Sequence, residues 1–227
     1  MNYKKLRSRE MRVVKVGEIA LLALLAACKT NISTEIKLSE LEGGAGKMLP
    51  GELTVEVSAC NHYEDSRKPS NSLLEAQQAI PGIFKDAKYM ECYQQRMNSY
   101  ARFELPVALD TAGSDKLFSE EHINFRSHEN MLLGLVIPTQ IKERIKSATK
   151  GKVAASALVM SFSIKVTNDL NQDQPLVAYS VFADGKAFVA DRLSLHKGKH
   201  MTLQLSDVSV QAAVQGSYAI VLGRVAQ

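Results

Sequence analysis

The sequence predicts a mostly β or α+β domain, antiparallel and β-sandwich-like, with two or three short helices. Three observations carry that expectation. Leu158, Met160, Phe162, Ile164 and Val166 alternate with Ser161, Ser163, Lys165 and Thr167, the period-two pattern of a half-buried strand. Asp184-Gly185 sits between two apolar runs, 176–183 and 186–193, and is a strong hairpin signal. Helical spacing is confined to short segments, and turn residues recur at the spacing of a sandwich.

The elements follow in order. Asn31 to Leu38 has the partial alternation of a strand-like arm, within a tether expected over residues 28–51. Gly43-Gly44-Ala45-Gly46-Lys47 reads as a flexible loop; it lacks the spacing and the hydroxyl of a phosphate loop. The globular domain is expected over 52–227, opening with Leu53, Val55, Val57 and Ala59 on one face of a strand. Ser72-Leu73-Leu74-Glu75 has a capping-box pattern, and Pro81-Gly82 should end that helix near Ile80. Strands are expected over 88–94 and 100–109, the second at an edge or bulge because of Pro106. A short strand is expected at 122–126 and a continuous apolar one at 131–137. Ile141 and Ile145 then predict one amphipathic helix over 138–149. After strand 155–167 and the hairpin come a short strand at 201–205, a helical turn or two at 206–215, and a closing strand at 217–225.

The N-terminal 28 residues carry a different message. The apolar run Ile19 to Ala27 is bounded by Glu18 and Cys28. It is far shorter than the roughly 20 residues a bilayer span needs. Lys4, Lys5, Arg7, Arg9, Arg12 and Lys15 precede it, as in a signal peptide, and Met1 or Met11 can serve as the start. The run ends Leu25-Ala26-Ala27-Cys28, which resembles the lipobox of bacterial lipoproteins. That resemblance implies removal of residues 1–27, lipidation of the Cys28 thiol, and membrane attachment through the lipid. Lys29, where some lipoproteins carry Asp, implies the outer membrane.

Charge supports this division. The chain has 28 Lys and Arg against 24 Asp and Glu, and residues 1–27 hold six and two of them. The remaining 200 residues therefore carry 22 of each and no net charge. The basic character belongs to the leader, so the domain offers no electrostatic footprint for nucleic acid.

Beyond Cys28 the remaining cysteines are Cys60 and Cys92. In an exported chain an even pair reads as a disulfide. The alternatives are two free thiols or a metal pair, and the latter lacks a C-x-x-C or a cysteine-histidine cluster. No G-x-S-x-G elbow is present. Asp169, Asn171 and Asp173 start like a calcium loop, but Gln174 and Ser180 fill the Gly and Glu positions. His196 and His200 flank Lys197-Gly198-Lys199, whose cations oppose a metal. His122 and His128, with Glu129, lack a further ligand. No catalytic residue, metal site or cofactor is therefore expected, and the chain reads as no enzyme. The best contact surface is the polar loop carrying Tyr63, Glu64, Asp65, Arg67 and Lys68, just after Cys60, where a disulfide would stiffen its base.

Three segments carry a further resemblance: Cys28 to Ser33, Val55 to Arg67, and Ile83 to Tyr89 with Glu91-Cys92. Together they resemble uncharacterised lipoproteins encoded by enterobacterial phages and prophages. The resemblance implies an envelope protein and transfers no catalytic residue. The expected function is an outer-membrane-anchored, non-enzymatic binding protein, one candidate role being superinfection exclusion. The alternative is a structural or assembly lipoprotein of an envelope complex with an envelope protein as partner.

Overall fold

The computed structural model describes residues 29–113, 116–128, 131–149 and 159–225. Cys28 and the leader expected over 1–27 lie outside the described residues.

The described part of the segment expected as a tether, 29–51, contributes strands to the sheet instead. Lys29–Lys37 is strand β1, inside the sheet. Thr30, Ile32, Thr34 and Ile36 face the core, and Asn31, Ser33, Glu35 and Lys37 face outward. The two buried threonines are satisfied: Thr30 Oγ1 donates to the Val159 carbonyl at 3.3 Å and Thr34 Oγ1 to the Pro50 carbonyl at 2.9 Å. A 3-10 turn at Leu38–Leu41, strand β2 at Lys47–Leu49 and β3 at Gly51–Val57 follow.

Helix α1, Asn71–Ile83, is capped by Ser70 rather than Ser72. Ser70 Oγ accepts from the Leu73 N–H at 3.1 Å. The helix also runs through Pro81. A proline in the last turn removes only one intrahelical bond, and the Phe84 N–H still reaches the Ile80 carbonyl at 2.9 Å. Strand β4, Lys88–Gln95, and β5, Asn98–Glu104, form a hairpin. The strand expected over 100–109 breaks at Leu105-Pro106, where the chain leaves β5 and starts β6, Val107–Asp110. Pro106 cannot donate to a ladder, so the break falls where pairing fails. β7 spans Asn124–His128, β8 Met131–Val136 and α2 Thr139–Thr149. β9 spans Val159–Thr167, β10 Gln174–Ala183, β11 Lys186–Leu195 and β12 His200–Leu205. Helix α3, Asp207–Gln215, capped by Ser206, leads into β13, Ala219–Arg224.

Among the described residues the strands form one 13-stranded sheet, in the order β2-β6-β7-β8-β13-β10-β12-β9-β1-β3-β5-β4, with β11 also on β10. The domain is mostly β with three α-helices, as expected. The sheet is mixed rather than wholly antiparallel: β1 runs parallel to β9, and β6 parallel to β7. Strand β10 joins two wings. Its residues 176–178 pair with β13 and its residues 181–183 with β12. Ser180 lies at the switch with φ 48°, a left-handed conformation costly for a residue with a Cβ. Its carbonyl is held by the opening of α3, accepting from the Ser206 N–H at 3.1 Å and Ser209 Oγ at 2.9 Å. The β10–β11 turn is Asp184-Gly185, both at positive φ, as a two-residue hairpin demands.

The β9, β1, β3 and β5 faces that turn inward supply Phe162, Ile164, Ile32, Ile36, Leu53, Val55 and Phe103 to one core. Strands β6 and β8 are buried on both faces, which is why β8 reads as a continuous apolar run. Helix α3 packs on β9, β10, β12 and β13, and α1 packs on β3, β4 and α2.

Candidate functional site

Cys60 and Cys92 form a disulfide with 5.6 Å between their Cα atoms. It ties the chain leaving β3 to β4, the outermost strand of the sheet. Above it, residues 61–69 close on themselves. Asn61 bridges Pro69, the His62 N–H reaches the Lys68 carbonyl at 2.8 Å, and the Ser70 N–H reaches the Cys60 carbonyl at 3.0 Å. The loop is thus a small braced platform.

Its charges pair locally. Asp65 accepts from Arg67 Nε at 2.9 Å and from the Arg67 N–H at 3.2 Å, and Lys68 Nζ lies 3.8 Å away. The Arg67 guanidinium and N–H hold the Asp65 carboxyl below its usual range, and Asp65 in turn raises Arg67. Glu64 accepts from the Tyr63 hydroxyl at 2.8 Å, which pushes that phenol up. With the charges occupied, the loop displays an aromatic surface: Tyr63 is 88 % exposed and stacks on His62 at 4.9 Å between ring centroids. Loop residues Tyr63, Glu64, Asp65, Arg67 and Lys68 therefore cluster, with Tyr63 and the Arg67 side chain both largely exposed.

The adjoining edge was not legible beforehand. β4 exposes Tyr89 and Met90, and Tyr93 lies 5.6 Å from Tyr100 of β5. Arg102 holds the outer face together, 2.9 Å from Glu91 and 3.6 Å from Glu52. The recurrence of tyrosine at 89, 93 and 100 was the available signal.

His196 serves a turn. His196 Nδ1 lies 2.7 Å from Asp173 Oδ2, and the Lys197 N–H donates to Asp173 Oδ1 at 2.8 Å. His196 and then Lys197 thereby lower the Asp173 pKa. The supposed calcium-loop carboxylates are taken in the same way, Asp169 by the Ser39 hydroxyl and N–H. At His122, Ser119 Oγ lies 2.8 Å from Nδ1 and Asp86 Oδ2 lies 3.2 Å from Nε2. This has the composition of a hydrolytic triad. Its setting is that of a turn: Ser119 and His122 are three residues apart, and Ser119 Oγ also accepts from the Glu121 N–H at 3.3 Å. Neither Ser119 nor His122 lines the neighbouring clefts.

One of those clefts, of about 430 Å³, lies between β7, β8, α2 and residues 216–218, with Glu120, Arg126, His128, Lys142 and Tyr218 on its walls. Lys142 donates to the Gly216 carbonyl at 2.7 Å, and its burial lowers its pKa. Arg126 Nε lies 3.0 Å from the buried carboxylate of Asp110, an ion pair by distance rather than an aligned hydrogen bond. Among the described residues no group of three or more His, Cys, Asp or Glu is placed to hold a metal ion. None of the described helices is long and apolar enough to cross a membrane.

Fold and site together define a disulfide-braced β-rich domain that displays an aromatic loop beside an edge strand, β4, which among the described residues pairs only with β5. The chain belongs to the DUF7424 family, a domain of unknown function, which it matches over residues 30–225. That match starts within β1, in keeping with a domain that includes this strand. No curated protein and no solved structure matches the chain.

Proposed function

We propose that this protein is a non-enzymatic binding lipoprotein of the cell envelope, held to the outer membrane by lipid on Cys28 and engaging an envelope partner through the loop at Tyr63 and the β4 edge. The Cys60–Cys92 disulfide is the observation that carries this reading. Such bonds persist in oxidising compartments outside the cytosol, and the leader ending at Leu25-Ala26-Ala27-Cys28 supplies a route there. Loops held by a rigid scaffold are where binding residues concentrate, and this loop is fixed at its base.

The resemblance to phage and prophage lipoproteins directs the partner toward a phage receptor, masked so that further phage are excluded. The free β4 edge favours a second reading, an assembly lipoprotein whose partner adds a strand to that edge. Plating efficiency of a phage panel separates them, on cells expressing wild type, Cys28→Ala or Tyr63→Ala at equal exported levels. Exclusion by wild type, lost in both variants, supports the masking role. Unchanged plating for every phage overturns it, and cross-linking from β4 to an envelope protein then tests assembly.

A further inference from the structure

The sheet register fixes what lies beside the anchor. This argument rests on the lipid at Cys28 proposed above. Thr30 pairs with Val55, and Val55 with Ala101. Along the same direction, Val57 pairs with Ser99, Ser99 with Gln94, and the hairpin then closes through Arg96-Met97. Lys29, the first residue of β1, is one residue beyond Thr30, whereas Met97 is four residues beyond Ala101. At about 3.4 Å per residue, the hairpin tip can reach roughly 10 Å further along the strand direction than Lys29. Laterally it is only two strands away from β1, or about 10 Å.

The chain leaves no slack. Lys29 is already paired in β1, opposite Val159, and Thr30 is 1 % exposed. Consecutive Cα atoms are about 3.8 Å apart, so a lipid on Cys28 brings this end of the sheet to the headgroup layer.

The residues at this end suit that layer. Met97 is 96 % exposed and Val159 is 50 % exposed. Lys29 and Arg96 are exposed beside them. Apolar side chains with basic neighbours that can extend toward headgroups are the composition of an interfacial contact. The tip is also not the residue pair a two-residue turn selects. Asn-Gly is the local optimum, yet Arg96 takes φ 57° and Met97 packs on nothing that buries it.

We infer that the β4–β5 hairpin tip, with Arg96 and Met97, is a membrane-inserting wedge that seats the domain flush on the phospholipid headgroups and fixes its orientation. The second reading of an exposed methionine, a protein-binding tip, becomes an outcome of the test.

The chain contains no tryptophan, so a single introduced one reports its own site. The lipidated full chain carrying Met97→Trp is reconstituted in phosphatidylethanolamine–phosphatidylglycerol vesicles, with or without brominated acyl chains. Val159→Trp provides a second reporter at the same end should Met97→Trp fold poorly. His200→Trp is the control: His200 pairs with Thr167, at the opposite end of β9, about 26 Å from Val159. The inference expects blue-shifted emission at 97 and 159, quenched by brominated lipid, with no shift or quenching at 200. Emission at 97 and 159 matching that at 200, in protein that floats with the vesicles, overturns the wedge while leaving the anchor intact, and points to a protein contact instead. Protein that carries no lipid by mass spectrometry and fails to float overturns the anchor, and the wedge with it.

Discussion

Asn168 donates from Nδ2 to the Leu195 carbonyl at 2.7 Å, joining the end of β9 to the end of β11. The same amide group reaches the Gln172 carbonyl at 2.9 Å, and its Oδ1 accepts from the Leu170 N–H at 3.0 Å. The backbone of Asn168 bonds Lys199 and Gly198 as well, each at 2.8 Å. A fully buried polar side chain with every partner met fixes two turns at once. Asn168→Ala strands those partners, and should cost about 2–4 kcal/mol at roughly 1 kcal/mol or more per lost bond. Asn168→Asp, which lacks the donors, should cost at least as much. Urea titrations of the three proteins check both expectations.

Cys60 and Cys92 are 32 residues apart. Closing a loop of that length restricts the unfolded chain, so Cys92→Ser should lose about 3–4 kcal/mol. Because the disulfide also holds the base of the 61–69 loop, the loss should exceed that of a surface substitution and bring faster amide exchange at Tyr63. Denaturation with and without reductant, alongside hydrogen exchange, measures both.

Helix α1 discriminates between two serines. Ser70 caps it, accepting from Leu73 and donating to the Ala59 carbonyl. Ser72 only touches the Ser70 hydroxyl, at 3.1 Å. Ser70→Ala is expected to cost about 1–2 kcal/mol, and Ser72→Ala less. Equal losses in a thermal melt would return the cap to Ser72.

Asp65 gives the loop a dependence on pH. Its carboxyl is held below its usual range chiefly by the Arg67 side chain. A depressed carboxylate stabilises above its unfolded pKa, and the effect fades as pH falls through the lower folded value. The loop should therefore hold its pairing at neutral pH and loosen only in acid below the ordinary carboxylate range. A carboxyl titration by NMR reads this directly. At neutral pH, Asp65→Asn should speed trypsin cleavage after Arg67, with no change elsewhere in the digest.

Local chemistry was the readable part of this fold. Asp184-Gly185 announced its hairpin because positive φ at two successive residues restricts sequence sharply, and the β9 alternation announced a one-sided strand. Strand β1 was harder to read because half of its buried face is Thr30 and Thr34. Their hydroxyls are met by carbonyls from residues far along the chain or past a loop, so their burial has no local signature. The parallel pairing of β1 with β9 likewise joins segments some 130 residues apart. The Tyr63 loop was visible as a polar stretch after a cysteine. That its charges pair within the loop, beside an exposed aromatic ring, depends on side-chain geometry. Ser119, His122 and Asp86 meet only because the segment before β7 lies beside the segment before β4, a juxtaposition no spacing reveals.

The pairing of β1 with β9 also bears on how the protein is made. Synthesis delivers residues 29–37 well before their partner at 159–167. Contacts so distant in sequence slow folding, because a long loop must close before they form. Strand β1 thus stays without one neighbour while most of the chain is still arriving. Until β9 comes, an unfilled edge sits beside the other edges of nascent copies, where strands readily pair with the wrong partner. A holding chaperone would bind the chain at this stage, and its depletion should show first as aggregates of chains that have not yet gained their own β9.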